Sequence, residues 1–199
     1  MTIDEGKLLK YAQEGDLDAF NRLVVVYQTM AYNVAYRILG DEPAAEDATQ
    51  LAFISAYRHL TSYRGGSFRA WLMRIVTNSC YDELRRIKRR PTTPLEPLAE
   101  DGEDEIESPT WLADDAPSPE EQLENAELEH AIQDCLNRLP DDFRTVLVLV
   151  DLQGMDYTEV SDSTGNPLGT IKSRLARARL KLRDCLQRFK ELLPLSMRH

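Results

Sequence analysis

The chain has 199 residues, a formal net charge of −10, and 42% hydrophobic and 29% charged residues, the makeup of a soluble globular protein with room for one large or two small cores. Its longest apolar runs, Leu23–Tyr27 and Val146–Val150, fall far short of the ~20 residues that cross a bilayer, and MTIDEGKLLKYAQEGD lacks the basic-then-apolar order of a secretory leader. Three widely spaced cysteines, Cys80, Cys135 and Cys185, with no C-x-x-C, argue against a disulfide framework or zinc site and for a reduced cytoplasm, each serving as a small buried apolar residue.

In chain order, Asp16-Leu-Asp-Ala-Phe20 offers carboxylates for a helix start. Apolar residues then recur at Phe20, Leu23, Val24, Tyr27, Met30, Ala31, Val34, Ala35, Ile38 and Leu39. Steps of three and four are the spacing of an amphipathic helix, and Gly40 closes it. A second helix is predicted from near Pro43, which a first turn tolerates, through AAEDATQLAFISAYRHL. A third begins near Ser67, with Phe68, Trp71, Leu72, Ile75, Val76, Leu84 and Ile87 on one stripe, and ends before Pro91. Residues 91–119 hold six prolines, many acids and few apolar side chains, too little to repay the entropy of ordering, and read as an extended linker. Helices return from Pro119 through LENAELEHAIQDCLNRL and, after Pro140, over DDFRTVLVLVDLQG to Gly154. A short helix at Thr158–Thr164, capped by Thr158, and a long basic helix from about Pro167 to Leu193 complete the chain. No period-2 pattern survives the helical alternative. The predicted fold class is all-α: two small helical domains, 1–90 and 120–199, the second a helix-turn-helix, joined by an acidic linker over 91–119.

The charge is unevenly divided. Residues 61–90 carry 8 Lys/Arg against 2 Asp/Glu, residues 91–134 none against 15, and residues 135–199 carry 11 against 8. The reversal falls at DELRRIKRRP, residues 82–91, where five cations precede Pro91. Two basic blocks flanking an acidic spacer suit two modules that bind a polyanion.

Within YTEVSDSTGNPLGTIKSRLARARLKLRDCL, residues 157–186, a short helix, a turn at Gly165-Asn166 and a second helix form the layout of a helix-turn-helix. Leu168, Ile171, Leu175, Ala178 and Leu182 are expected to face inward, leaving Thr170, Lys172, Ser173, Arg174, Arg177 and Lys181 for base edges and phosphates. In YRGGSFRAWLMRIVTNSCYDELRRIKRR, residues 63–90, Trp71 and Tyr81 lie among arginines and lysines, a combination suited to unstacked single-stranded bases. The Gly65-Gly66 loop permits close backbone approach to an extruded base. Phe68 and Trp71 also suit a hydrophobic core, and cations at a helix C-terminus also favour its dipole, but the density over 85–90 exceeds what one helix end requires.

Taken together, four stretches resemble the extracytoplasmic-function (ECF) sigma factors, the promoter-specificity subunits of bacterial RNA polymerase: DAFNRLVVVYQTMAYNVAYRILGD, AEDATQLAFISAYRHL, YRGGSFRAWLMRIVTNSCYDELRRIKRRP and LNRLPDDFRTVLVLVDLQGMDYTEVSDSTGNPLGTIKSRLARARLKL. They occur in family order. The resemblance implies that Asp47, Gln50, Leu51 and Phe53 bind the β′ clamp helices of core polymerase. It implies that Tyr63, Arg64, Ser67 and Phe68, with Arg74, Asn78, Arg85 and Arg86, melt and read the minus-10 element as single strand. Gly169, Thr170, Lys172, Ser173, Arg174 and Arg177 are expected to read the minus-35 element as duplex, beside the polymerase β flap. It further implies no cofactor, no metal, no membrane contact, a cytoplasmic setting, and an anti-sigma partner for many members. Two features depart from relatives. Ser161, Asp162, Ser163 and Thr164 make the first helix of the motif unusually polar. The acidic linker either imitates a phosphate chain inside polymerase or, in the free protein, folds onto the two basic surfaces. A stand-alone helix-turn-helix regulator would need neither DATQLAF nor the arginine–aromatic segment. No H-E-x-x-H or G-x-x-x-x-G-K-[ST] supports an enzyme, and the short Met197-Arg198-His199 end predicts no appended C-terminal domain.

Overall fold

The computed structural model describes residues 4–89, 119–189 and 191, and among them every regular element is helical. The expected all-α class is observed. The linker expectations lie outside the described residues; the last helix, expected to run to Leu193, ends at Leu186 and passes into a 3₁₀ turn (Gln187–Phe189).

Four helices form the first half. α1 (Glu5–Gln13) is an element the periodicity did not reveal; its Asp4 cap accepts from the Lys7 N–H, and only Leu8, Leu9 and Ala12 are buried. α2 (Leu17–Leu39) starts where Asp16 accepts from the Asp18 and Ala19 N–H groups, and ends on Gly40 at φ 74°, a left-handed position that favours glycine. α3 (Glu42–His59) is capped by Asp41, with Pro43 in its first turn as predicted. A 3₁₀ turn (Leu60–Ser62) and the Gly65-Gly66 loop lead into α4 (Phe68–Arg89). α3 buries small residues, among them Ala45, Ala48, Ala52 and Ala56, so it lies close against its neighbours. Its bulkier Leu51, Ile54 and Tyr57 are left outside at 60%, 48% and 39% exposure. On α4 the stripe is buried at Phe68, Leu72 and Val76, partly buried at Trp71, Ile75 and Leu84, and exposed at Ile87.

The second half comprises α5 (Pro119–Asn137), α6 (Asp141–Leu147) running into a π-helical turn (Val148–Leu152), α7 (Tyr157–Thr164) and α8 (Leu168–Leu186). α7 is capped by Asp156 rather than Thr158: the Asp156 carboxylate accepts from the Thr158 and Glu159 N–H groups while Glu159 reaches back to the Asp156 N–H. A carboxylate at Ncap with Glu at N3 satisfies two orphan donors and meets the positive end of the helix dipole. On α8, Ile171, Leu175 and Ala178 are buried as expected and Leu182 is partly buried, but Leu168 is 43% exposed because the helix begins beyond the edge of the core. The cysteine expectation is corrected in part. Cys80 is a free buried thiol, whereas Cys135 and Cys185 are joined by a disulfide between α5 and α8, their Cα atoms 5.7 Å apart.

One hydrophobic cluster runs through both halves. α4 packs on α7, and α2 packs on α5 and α6. The buried Arg144 of α6 donates to the Ile38 carbonyl of α2 and to the Asn137 (2.9 Å) and Leu139 (3.2 Å) carbonyls of its own half. Burial pulls its pKa below the usual arginine value.

Candidate nucleic-acid interface

The outward face of α3 follows helical spacing. Asp47, Gln50 and Leu51 are exposed one turn apart, and Ile54 and Tyr57 extend the same side. Phe53 does not join them: it is half-buried and packs against the core. Ile54, rather than Phe53, is the next exposed apolar side chain beyond Leu51 on that side. The result is a mixed face of one carboxylate, one amide and three large apolar side chains, suited to another protein surface.

The loop before α4 is built on glycine. Gly65 and Gly66 sit at φ 99° and 93°, conformations that L side chains rarely adopt. The Tyr63 hydroxyl donates to the Gly66 carbonyl at 2.7 Å, and the Tyr63 ring meets Phe68 and Trp71 with centroids 5.6 and 5.5 Å away. Burial raises the Tyr63 phenol pKa. Phe68 is 2% exposed and forms the floor of this cluster, so it supports the loop from beneath. Arg64 and Ser67 are exposed around it, and Arg74 and Asn78 are exposed further along α4. Arg85 pairs with Asp82 at 3.0 Å and Arg86 with Glu83 at 2.6 Å, each three residues away. The hydrogen bond to Glu83, then its charge, and more weakly Asp47, hold the Arg86 pKa up.

On α8, Gly169, Lys172, Ser173 and Arg177 are exposed and Thr170 is half-buried. The Ser173 hydroxyl donates to the Thr170 carbonyl at 3.0 Å, and the Lys172 ammonium lies 5.9 Å from the Tyr157 ring centroid. Arg174 is partly buried and pairs with Asp142 of α6 at 2.7 Å. The polar residues of α7 are reconciled locally. Ser163 and Thr164 donate to the Val160 carbonyl at 3.2 and 2.7 Å, and Ser161 donates to the Asn166 carbonyl at 2.7 Å, holding the turn. Only Ser163 of the set is fully buried, with Val160 filling the core, so the helix packs despite its polarity.

Sequence reasoning missed the seam between the halves. Ser67 donates to Glu159 at 2.8 Å, Lys88 pairs with Asp141 at 2.6 Å, and Tyr81 donates to Asp142 at 3.3 Å. Arg69 donates to the Gln153 carbonyl, while Arg37 meets Gln133 at 3.2 Å and Glu129 at 3.5 Å. Glu159 of the second half thus sits on Ser67, which the resemblance assigns to the minus-10 element, and Asp141 sits on Lys88 near the end of the basic helix α4 that follows it. Asp141 and Asp142 follow Pro140 directly and looked only like a helix start; nothing local marks them as partners of residues 53 and 61 positions away. No helix among the described residues is long and apolar enough to cross a membrane.

Residues 23–90 match the family model for Sigma-70 region 2, and residues 129–182 that for Sigma-70, region 4. The chain is 35% identical over 182 residues to the ECF RNA polymerase sigma factor SigW of Bacillus subtilis, covering 91% of this chain and 96% of SigW. It is 37% identical over 175 residues to the ECF RNA polymerase sigma-E factor of Escherichia coli, covering 86% of this chain and 88% of that one. Against SigE of Mycolicibacterium smegmatis the identity is 37% over 170 residues, or 85% of this chain, which spans 62% of that longer relative. Among solved structures, CnrH in complex with the cytosolic domain of CnrY aligns with a TM-score of 0.65 at 25% identity over 90% of this chain and 94% of that one. The sigma factor RpoE of Bartonella quintana, in complex with the anti-sigma factor NepR, shares the fold, with a TM-score of 0.62 at 23% identity over 85% of this chain and 98% of that one.

Proposed function

The chain belongs to the ECF group of the sigma-70 family, RNA polymerase sigma factors that initiate transcription, and we propose that its two helical halves divide that work. Residues 1–90 bind core polymerase and the minus-10 element, residues 120–199 bind the minus-35 element, and residues 91–119 link the two in the chain. The α3 face of Asp47, Gln50 and Leu51, extended by Ile54, docks on the β′ clamp helices, with Phe53 buttressing it from the core side. The Gly65-Gly66 loop, with Tyr63, Arg64 and Ser67 around it and Phe68 beneath, receives an extruded base, while Arg74, Asn78, Arg85 and Arg86 track the melted strand. The first turns of α8 enter the major groove: Thr170, Lys172 and Ser173 stand nearest base edges, Arg174 and Arg177 nearest phosphates, and Gly169 lets the backbone approach. The second half also meets the β flap.

The protein works in the cytoplasm beside polymerase and catalyses no reaction of its own. The observation that carries this reading is the presence, in one chain, of an exposed Asp-x-x-Gln-Leu helix face and two separate cationic helix faces. A DNA-binding protein that acts alone has no use for the first. Since RpoE of Bartonella quintana was solved with the anti-sigma factor NepR, an anti-sigma factor covering these same faces is part of the proposal. Reading both elements at once exchanges the Ser67–Glu159, Lys88–Asp141 and Arg174–Asp142 contacts for contacts with DNA, so promoter binding should be strongly salt-dependent. The test is transcription by purified chain plus core polymerase on a fragmented genomic library, with start sites mapped. Discrete starts sharing two upstream motifs are expected. Sequence-specific duplex binding by the chain alone, without any effect on polymerase, would replace this reading with a stand-alone regulator.

A further inference from the structure

Cys135 and Cys185 are 50 residues apart in the chain, and their bond encloses α6, α7 and the whole reading segment of α8 in one ring. Cys135 is fully buried on α5, whereas Cys185 lies half-buried in the last turn of α8. A shallow cleft at the pair is lined by Arg138, Lys181 and Arg188, with Asp184 the one acid among them. Cations beside a thiol favour its thiolate and attract anionic partners. Persistent disulfides are rare in the compartment where transcription takes place, and those found there are usually transient or sensing.

Resting on the proposed sigma role, we infer that Cys135 and Cys185 form a reversible thiol–disulfide site that makes minus-35 reading depend on oxidation. The exchange partners are a small anionic disulfide such as glutathione disulfide, for oxidation, and a dithiol reductant. In oxidation the accessible Cys185 thiolate attacks one sulfur of glutathione disulfide and displaces one glutathione thiolate. The Cys135 thiolate then displaces the second glutathione from the mixed disulfide. Two electrons pass from the cysteine pair to glutathione, the intramolecular S–S bond forms, and the two released cysteine protons are matched by two glutathione thiols. A dithiol reverses both steps. A helix-turn-helix unit this small buries a limited core and gains much of its rigidity from a staple. The oxidised chain therefore holds α7 and α8 firmly, and the reduced chain lets them open. Cys80 takes no part, being enclosed in the core of the first half with its thiol pKa pushed up to about 12 by burial.

The experiment equilibrates the full chain in glutathione mixtures from fully reduced to fully oxidised. Free thiols are trapped by alkylation and counted by mass, and amide hydrogen exchange over α7 and α8 and transcription with core polymerase are followed in the same samples. One two-electron transition is expected, with exchange in α7 and α8 at least tenfold faster and transcripts at least fivefold fewer in the reduced chain. The variants Cys185→Ser and Cys135→Ala should match the reduced chain in every mixture. Thiols that stay free in pure glutathione disulfide, a bond that survives a large excess of dithiol, or equal exchange in the two forms would each overturn the site. Equal transcription from both forms would overturn its regulatory role. Transcription absent from both, with the exchange difference intact, would remove the sigma reading and leave the redox site standing.

Discussion

Replacing Arg144 with Met tests whether a single buried guanidinium clasps the two halves. Its side chain is 7% exposed and donates to the Ile38 carbonyl across the seam and to the Asn137 and Leu139 carbonyls at the end of α5. Met keeps most of the aliphatic volume but donates nothing, so three carbonyl oxygens lose a partner. Each hydrogen bond from a charged donor is worth about 1.5–3 kcal/mol. The desolvation that lowers the Arg144 pKa works against the native arrangement and returns part of that sum. The net cost should be about 2–4 kcal/mol, and Arg144→Lys, a point donor that reaches one carbonyl at a time, should fall between Met and the parent. In a cooperative unfolding of a chain this size, ~1 kcal/mol moves the midpoint by about 2–4 °C, so Met should lower it by about 5–15 °C. Thermal and urea unfolding followed by far-UV circular dichroism measure both variants. A Met variant that melts within about 1 °C of the parent would refute the clasp.

Three further outcomes follow from named contacts. Burial, then the hydrogen bond to Glu5, raises the Tyr27 pKa above that of a free phenol. The folded chain therefore keeps a proton that the unfolded chain releases near pH 10, and the stability involved is complete below about pH 10 and lost above it. Tyr27→Phe should cost about 1 kcal/mol at neutral pH and flatten the fall in melting temperature above about pH 10. Asp156→Ala removes the α7 capping box and should cost about 0.5–2 kcal/mol, read by chemical unfolding, with Asp156→Asn recovering most of it. Arg177→Ala should weaken duplex binding about equally across sequences and reduce the slope of log affinity against log salt by about 1. Lys172→Ala should instead relax base preference by about 1–3 kcal/mol; fluorescence anisotropy on matched and mismatched duplexes separates the two.

How much of this was legible in the sequence depends on whether the determinant was local. α2 could be read because its three-and-four spacing, the Asp16 cap and the Gly40 stop all lie within the segment. α1 could not, since Leu8, Leu9 and Ala12 are too few to establish a period. The cap of α7 was misplaced by two residues because Thr158 and Asp156 are both good caps; the carboxylate wins through its charge and through Glu159. Leu168 obeys the inward period yet stays exposed, as burial also requires a neighbour on that side. On α3, Asp47, Gln50 and Leu51 share one exposed side, and the same spacing, followed one turn further, reaches Ile54 rather than Phe53. What the sequence withheld joins distant residues. The Cys135–Cys185 bond depends on α5 meeting α8, and the Ser67–Glu159 and Lys88–Asp141 contacts on α7 and α6 meeting α4. No pattern within a single helix encodes those meetings.

The central claim is that α3 presents a polymerase-binding face distinct from the DNA-reading helices. The most direct test compares Leu51→Ala with Arg177→Ala for affinity to core polymerase and for transcription from a mapped start. Leu51 is 60% exposed, so its truncation leaves folding intact, as a matching circular dichroism melt verifies. If the face binds polymerase, Leu51→Ala loses core affinity by about tenfold, the loss of roughly 1.4 kcal/mol expected for a buried interface contact, and transcription with it. Arg177→Ala then keeps core affinity and loses transcription only. Undiminished core binding by Leu51→Ala, and by the same change at Gln50 and Ile54, would contradict the account.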